Sequence, residues 1–253
     1  MGKMVNLNAD IAEGWGAYDI GNDAELMKII KSASVACGFH AGDANTMHRL
    51  CMLAKEQGVS VGAHPGFNDL WGFGRRRIQM KPHDLEYMVA YQIGALQAMA
   101  AYAGLKVTHL KAHGALNNMA AEDEGYAMAI GRAIKAVDKS IIYVALYGSQ
   151  MQKAAEKLGL PMALEGFPDR RYDDAGNLAS RTHPRHRASR TRGWRAEQAI
   201  RMVRDGEIVA LSGKRIKVKV HTLCVHGDEA TGVLVARGIR KALEGGRHLA
   251  WSR

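Results

Sequence analysis

The sequence predicts an α/β fold in which β-α units repeat around a parallel sheet, and two observations carry that expectation. Short β-branched or apolar runs ending in Gly, His, Asn or Asp alternate along the chain with longer stretches of helical period. Polar, chemically capable residues recur directly after those apolar runs, which is where a parallel sheet or (β/α) barrel gathers its functional side chains. The length of 253 residues suits one large barrel-sized domain. No repeat, linker or low-complexity segment divides it, so residues 1–253 are expected to form a single domain.

Seven strands are expected: Met4 to Asn8, Ser34 to Cys37, Val59 to Ala63, Thr108 to Lys111, Ile141 to Ala145, Met162 to Glu165 and Val218 to Val225. Between them, Asp23 to Lys31 and Ala44 to Gln57 read as helices, the second with Met47, Leu50, Cys51 and Ala54 on one face. Asp84 to Ala103 is the clearest helix. Leu85, Met88, Val89, Ile93, Leu96, Met99 and Ala100 fall at steps of three and four, and Pro82 stands at a suitable start. Glu124 to Val137, Ser149 to Leu158, Ala196 to Asp205 and Ala230 to Glu244 complete the set.

Composition removes several function classes. With 47% hydrophobic and 24% charged residues the chain can bury a core, which excludes a disordered or fibrous protein. Asp10 and Glu13 interrupt any early apolar run, and no span is apolar enough for a membrane, so a cytoplasmic protein is expected. Cys37, Cys51 and Cys224 are too few and too scattered for a disulfide framework, and no Cys-x-x-Cys pair offers zinc thiolates. The net charge of +10 invites a nucleic-acid reading, but six arginines between Arg181 and Arg195, with no acid among them, supply most of it. Aromatic residues are not interleaved with that run, so no base-stacking platform is evident.

The chemistry gathers at the strand ends. Asn8, Asp10 and Glu13 follow the first strand, His40 and Asp43 the second, and His64 the third. His113 and Asn117 follow the fourth, Glu165, Asp169 and Arg170 the sixth, and His226 and Asp228 the last. One histidine at a strand end is often structural. Five strand ends each offering His or Asp, all in phase with the strands, point to one cleft at the carboxyl end of the sheet. The glycines beside them, in Cys37 to Asp43, Gly62 to Gly66 and His113 to Ala115, let backbone approach a ligand or form tight turns.

Histidines and carboxylates in one cleft permit a divalent metal that activates water, with Asp10, His64 and His113 as candidate ligands. They equally permit metal-free general acid and base catalysis, and spacing does not decide between the two. The stretch Gly72 to Arg77 offers Arg75 and Arg76 as a clamp for carboxylate or phosphate, or simply a solvated basic loop. Walker, dinucleotide and nucleophile-elbow motifs are missing. From the residues alone, this is an acid/base or metal-assisted hydrolytic enzyme of open substrate.

The same segments resemble the LamB/YcsF family, which is associated with bacterial 5-oxoprolinase. Asn6 to Gly14 is similar to its opening motif and Ala36 to Asp43 to its most distinctive one. Gly62 to Phe67 with Gly72 to Arg76, Lys111 to Leu116, Glu165 to Tyr172 and Cys224 to Asp228 follow in order. The resemblance runs from about residue 4 to residue 244. It implies an irregular seven-stranded parallel (β/α) barrel akin to the polysaccharide-deacetylase superfamily. It also implies ATP-dependent opening of the 5-oxoproline lactam to glutamate, with ATP as co-substrate and subunits B and C as partners.

On that basis Asp10 or Glu13 is expected as the base for water, and His40, His64 and His113 as acid, base or oxyanion partners. Asn8, Asp43, Glu165, Asp169, His226 and Asp228 would complete the polar mouth, and Arg75 or Arg76 would hold the substrate carboxylate or nucleotide phosphate. The alternatives are a stand-alone metal-dependent amidohydrolase or deacetylase on the same barrel, and a module that holds a carbohydrate or organic acid without chemistry.

The sequence departs from the family pattern in two places. Ala112 stands where the family usually has Pro, and Asn117 where it has Tyr, so the fourth loop is expected to differ in shape. From Pro184 to Arg195 the resemblance lapses into Arg, His, Ser and Thr, then resumes at Ala196. Such a lapse is what two compensating frameshifts in a GC-rich gene would produce.

Overall fold

The chain forms strands β1 (Asn6–Ile11), β2 (Ser32–Ala36), β3 (Ser60–His64), β4 (Val107–Leu110), β5 (Ile142–Leu146), β6 (Met162–Gly166), β7 (Glu207–Val209), β8 (Arg215–Lys217) and β9 (Thr222–Val225). Seven of them run parallel and close into a barrel in the order β1-β2-β3-β4-β5-β6-β9, with β9 pairing both β6 and β1. The structure is a computed structural model and describes residues 4–179, 192–226 and 232–246. Asp228 and most of the Arg-rich run, with the frameshift expectation attached to it, lie outside the described residues.

Helices α1 (Asp23–Met27), α2 (Ala44–Gln57), α3 (Pro82–Tyr102), α4 (Gly114–Glu122), α5 (Glu124–Asp138), α6 (Gln150–Leu158), α7 (Arg192–Arg204) and α8 (Gly232–Gly245) connect the strands. Alternation along β1 shows how the sequence sorts its two faces. Leu7, Ala9 and Ile11 join the apolar layer between sheet and helices, while Asn6, Asn8 and Asp10 line the barrel interior. The helices supply the other half of that layer. Leu85, Val89, Ile93, Leu96 and Ala100 form the buried stripe of α3, and each large apolar side chain so buried contributes about 1.5–3 kcal/mol. Pro82 opens α3, where its missing N–H costs nothing.

Three expectations need correction. The first strand reaches Ile11, so Asp10 is a strand residue facing inward rather than a loop residue, and Asn8 lies within the strand rather than at its end. The strand expected over Val218 to Val225 shortens to β9, because the antiparallel hairpin of β7 and β8 ends just before it. Helix α4 is absent from the expected set, since it begins on Gly114 and contains Asn117 and Asn118, all poor helix formers. No described helix is long and apolar enough to cross a membrane.

Candidate active site

A cavity of about 400 Å³ opens at the carboxyl ends of the barrel strands, lined by residues that include Asp10, Glu13, His64, Lys111, His113 and His226. Glu13 joins three histidines there. Its Oε1 lies 3.2 Å from His40 Nε2, 3.1 Å from His113 Nδ1 and 3.8 Å from His64 Nε2. Burial alone would raise the Glu13 carboxyl, but the His113 and His40 rings beside it outweigh burial and hold the group ionised. His40 is pushed down to about 3 by burial and by His113, so it stays neutral.

Backbone carbonyls fix two of these rings. His64 Nδ1 donates to the Lys111 carbonyl at 2.7 Å, and His113 Nε2 donates to the Phe73 carbonyl at 2.7 Å. A carbonyl only accepts, so His64 Nε2 and His113 Nδ1, 3.0 Å apart, are the atoms left facing Glu13. Phe73 reaches His113 from a left-handed backbone (φ 53°), and Gly74 follows it with φ 62°. A Cβ on Gly74 would stand 2.8 Å from both His113 and His40, so only glycine lets the loop close over the two rings.

A second set of charges lies deeper. Lys111 Nζ is 2.7 Å from Asp10 Oδ1 and 3.0 Å from Glu165 Oε1, and all three side chains are largely buried. Burial would push the Lys111 ammonium down, yet Asp10, Cys224 and Glu165 hold it well above its usual range. Burial would likewise raise Asp10, but His64 and Lys111 keep it well below the carboxylate range. Asp10 Oδ2 in turn lies 3.4 Å from His64 Nε2, and that pairing lifts the His64 imidazole against the effect of burial. Glu165 is raised, with burial outweighing Lys111.

His226 Nδ1 pairs with Asp169 Oδ2 at 2.5 Å. Burial opposes this pair at both ends. Even so, Asp169 holds the imidazole well above its usual range, and His226 holds the carboxyl down at about 2.

Of the expected site residues, Asp10, Glu13, His40, His64, His113, Glu165, Asp169 and His226 converge on this cluster. Arg75 also lines the cavity, with its guanidinium 4.9 Å from the Phe73 ring. Three others are used elsewhere. Asp43 caps α2, accepting from Asn45 N, Thr46 N and Thr46 Oγ1, and it also takes the Gly16 N–H, so its carboxylate is spent on local structure. Arg76 forms a two-pronged pair with Asp69. Asn8 turns below the mouth, donating to Glu165 Oε1 at 3.0 Å and Thr222 Oγ1 at 2.7 Å.

Sequence reasoning missed Lys111 and Asp23. Lys111 is legible as the charged residue one alternation before His113. Asp23 has no such signal: it opens α1, yet lines the cavity, accepts from Ala12 N at 2.9 Å and is raised by burial to about 6.

The donor atoms of Glu13, His40, His64 and His113 all lie within 4.8 Å of one another, so the fit to a divalent cation can be tested. Three of them fit. The separations of 3.0, 3.1 and 3.8 Å among Glu13, His64 and His113 bracket the edge of about 3.3 Å in a tetrahedron with bonds of about 2.0–2.1 Å. Both histidines also give their other ring nitrogen to a carbonyl, as metal-bound histidines do. His40 does not fit beside His113. Their rings stack at 3.7 Å and 4°, so an ion in the plane of one lies far from the plane of the other. Asp10, expected in the ligand set, groups instead with Cys224 and His226.

Fold and site together define a (β/α) barrel with paired histidines and carboxylates at its mouth, a hydrolase-like arrangement. The chain belongs to the LamB/YcsF family, matched over residues 5–250. It is 52% identical over 241 residues to the A subunit of 5-oxoprolinase from Rhodopseudomonas palustris BisB5, covering 95% of this chain and 94% of that one. It is 52% identical over 246 residues to a 5-oxoprolinase A subunit from Bradyrhizobium diazoefficiens, covering 96% and 94%. Among solved structures, the lactam utilization protein of Thermus thermophilus superposes with a TM-score of 0.91 at 42% identity over 98% of each chain.

Proposed function

We propose that this chain acts in the cytoplasm as the A subunit of an ATP-dependent 5-oxoprolinase, opening 5-oxo-L-proline to L-glutamate together with subunits B and C. The observation that carries the reading is the pairing of two acid/base couples, Asp10–His64 and Glu13–His113, in one mouth of a chain about half identical to curated A subunits.

A five-membered lactam is a poor electrophile. Transfer of a phosphoryl group from ATP to its amide oxygen makes the ring carbon open to water. Water adds to that carbon and passes a proton to the Glu13–His113 couple. The ring C–N bond breaks, the Asp10–His64 couple returns a proton to the nitrogen, and a second water converts the acyl phosphate that remains to the glutamate carboxylate and free phosphate. His40, kept neutral, packs against His113 and keeps Glu13 oriented. Lys111 and Arg75 offer positive charge to the oxyanion and to the substrate carboxylate. Glu165, Asn8 and the Asp169–His226 pair hold that floor in place, and Asp228 follows in the same segment.

A divalent cation held by Glu13, His64 and His113 would supply Lewis acidity at the same point. The three-donor geometry is the one observation favouring the second reading, a stand-alone metal-dependent amidohydrolase.

The deciding assay is ATP-dependent glutamate formation from 5-oxoproline by this chain alone and with subunits B and C, with and without chelator. Activity confined to the complex supports the proposal, and activity of the chain alone that chelator abolishes supports the second reading. Asp10→Asn and His64→Ala should each nearly abolish turnover of the complex. Near-normal rates for both would remove these residues from the mechanism.

A further inference from the structure

Barrels of this type usually fill their interior with layers of bulky branched side chains. Here the lower interior carries Ser32, Ser34, Ser60 and Gly62 on β2 and β3, with Asn8 and Thr222 on the adjoining β1 and β9, while Ile142, Val144 and Ala163 of β5 and β6 supply an apolar wall. The result is a cavity of about 380 Å³ at the end of the barrel away from the mouth. Its rim, at Ser32 and Ser60, is half-buried, and its inner wall is fully buried.

Two buried side chains of that wall have a polar atom with no partner among the described residues: Ser34 Oγ and His109 Nε2. An unmet buried polar group costs about 1–3 kcal/mol, and both residues line a space wide enough for several waters. Gly62 makes room for the His109 ring, since a Cβ there would stand 2.2 Å from it. Lys111 lines both this cavity and the catalytic one, so the two meet at its side chain.

We propose that the lower barrel is a solvent inlet that brings water to Lys111 and Asn8 from the face opposite the mouth. The chemistry of ring opening explains its use. An activated lactam has to be shielded from bulk water at the mouth, yet ring opening consumes one water: its oxygen bonds to the ring carbon as the C–N bond breaks, one of its protons passes to the acid/base couples and the other ends on the freed amine. A second opening supplies that water while substrate and partner subunits cover the mouth. Service to lactam opening rests on the function proposed above, whereas the solvation of the lower cavity does not.

The test uses two readouts on the full-length chain. A crystal structure of the free protein is expected to show ordered water on Ser34 Oγ and His109 Nε2 continuing to Lys111. A dry cavity overturns the inlet whether or not the complex is an oxoprolinase. In the assembled complex Ser34→Leu, which plugs the cavity, is expected to lower kcat by about tenfold with KM unchanged, while Ser34→Ala, which keeps it open, stays within about twofold. Ser60→Leu at the half-buried rim carries the same expectation should Ser34→Leu fail to fold. Plugged variants that turn over like the parent overturn the inlet, and an inactive parent complex refutes only the proposed substrate.

Discussion

Replacing Lys111 by Met removes one ammonium and leaves its shape. In the parent, that ammonium faces Asp10 at 2.7 Å and Glu165 at 3.0 Å, with Cys224 Sγ at 3.0 Å. The variant leaves two buried carboxylates without their cation. Breaking a buried pair in this way costs about 3–5 kcal/mol. For a chain of this length that is a fall in Tm of about 6–20 °C.

The pH dependence separates this cause from lost packing. In the parent, Asp10 is held well below its unfolded value, so its contribution is present above that value and fades as pH falls through the folded one. In Lys111→Met both carboxyls are pushed up by burial, opposed by His64 and His226 at Asp10 and by Asn8 at Glu165. Their penalty therefore applies at neutral pH and is relieved by protonation as pH falls. The gap in Tm between parent and variant should be widest near pH 8 and should narrow towards pH 4. Calorimetric scans at both values check it, and a gap under about 2 °C, or one equal at both, refutes the reasoning.

Two further outcomes are expected. In Asp169→Asn the His226 ring, titrated by NMR, should lose the protonation that Asp169 gives it well above the usual imidazole range. The parent's His226 contribution to stability is full below the unfolded imidazole value of about 6.5 and is lost as pH rises through the folded one, so the variant should be hurt most at neutral and acidic pH. Asp23 has the opposite sense. Its carboxyl is raised to about 6, so ionisation penalises the fold increasingly from about pH 4 to pH 6, and Asp23→Asn should raise Tm at pH 8 but not at pH 4. An equal change at both pH values would mean that burial does not govern this carboxyl.

Some parts of the site are legible in the sequence because they depend on period and position. Asp10, His64 and His226 stand at or beside the carboxyl ends of strands, and parallel strands bring such residues to one mouth whatever their separation in sequence. Asp43 and Arg76 look equally suitable, but a helix N-terminus and Asp69 claim them. Competition between a local partner and a distant ligand leaves no trace in spacing. Asn8 is expected at the mouth yet sits below it, because the first strand runs on past its expected end.

By itself, the sequence determined seven parallel strands and most of the residues at their carboxyl ends, because alternation and helical period are local properties of the chain, and its resemblance to a family implied closure into a barrel. Tertiary structure alone decided the roles. It set Lys111 between Asp10 and Glu165, anchored one ring nitrogen each of His64 and His113 on backbone carbonyls, stacked His40 on His113, and left the lower barrel open. Charge state, tautomer and cavity all depend on distances between residues far apart in sequence, and those distances exist only once the barrel has closed.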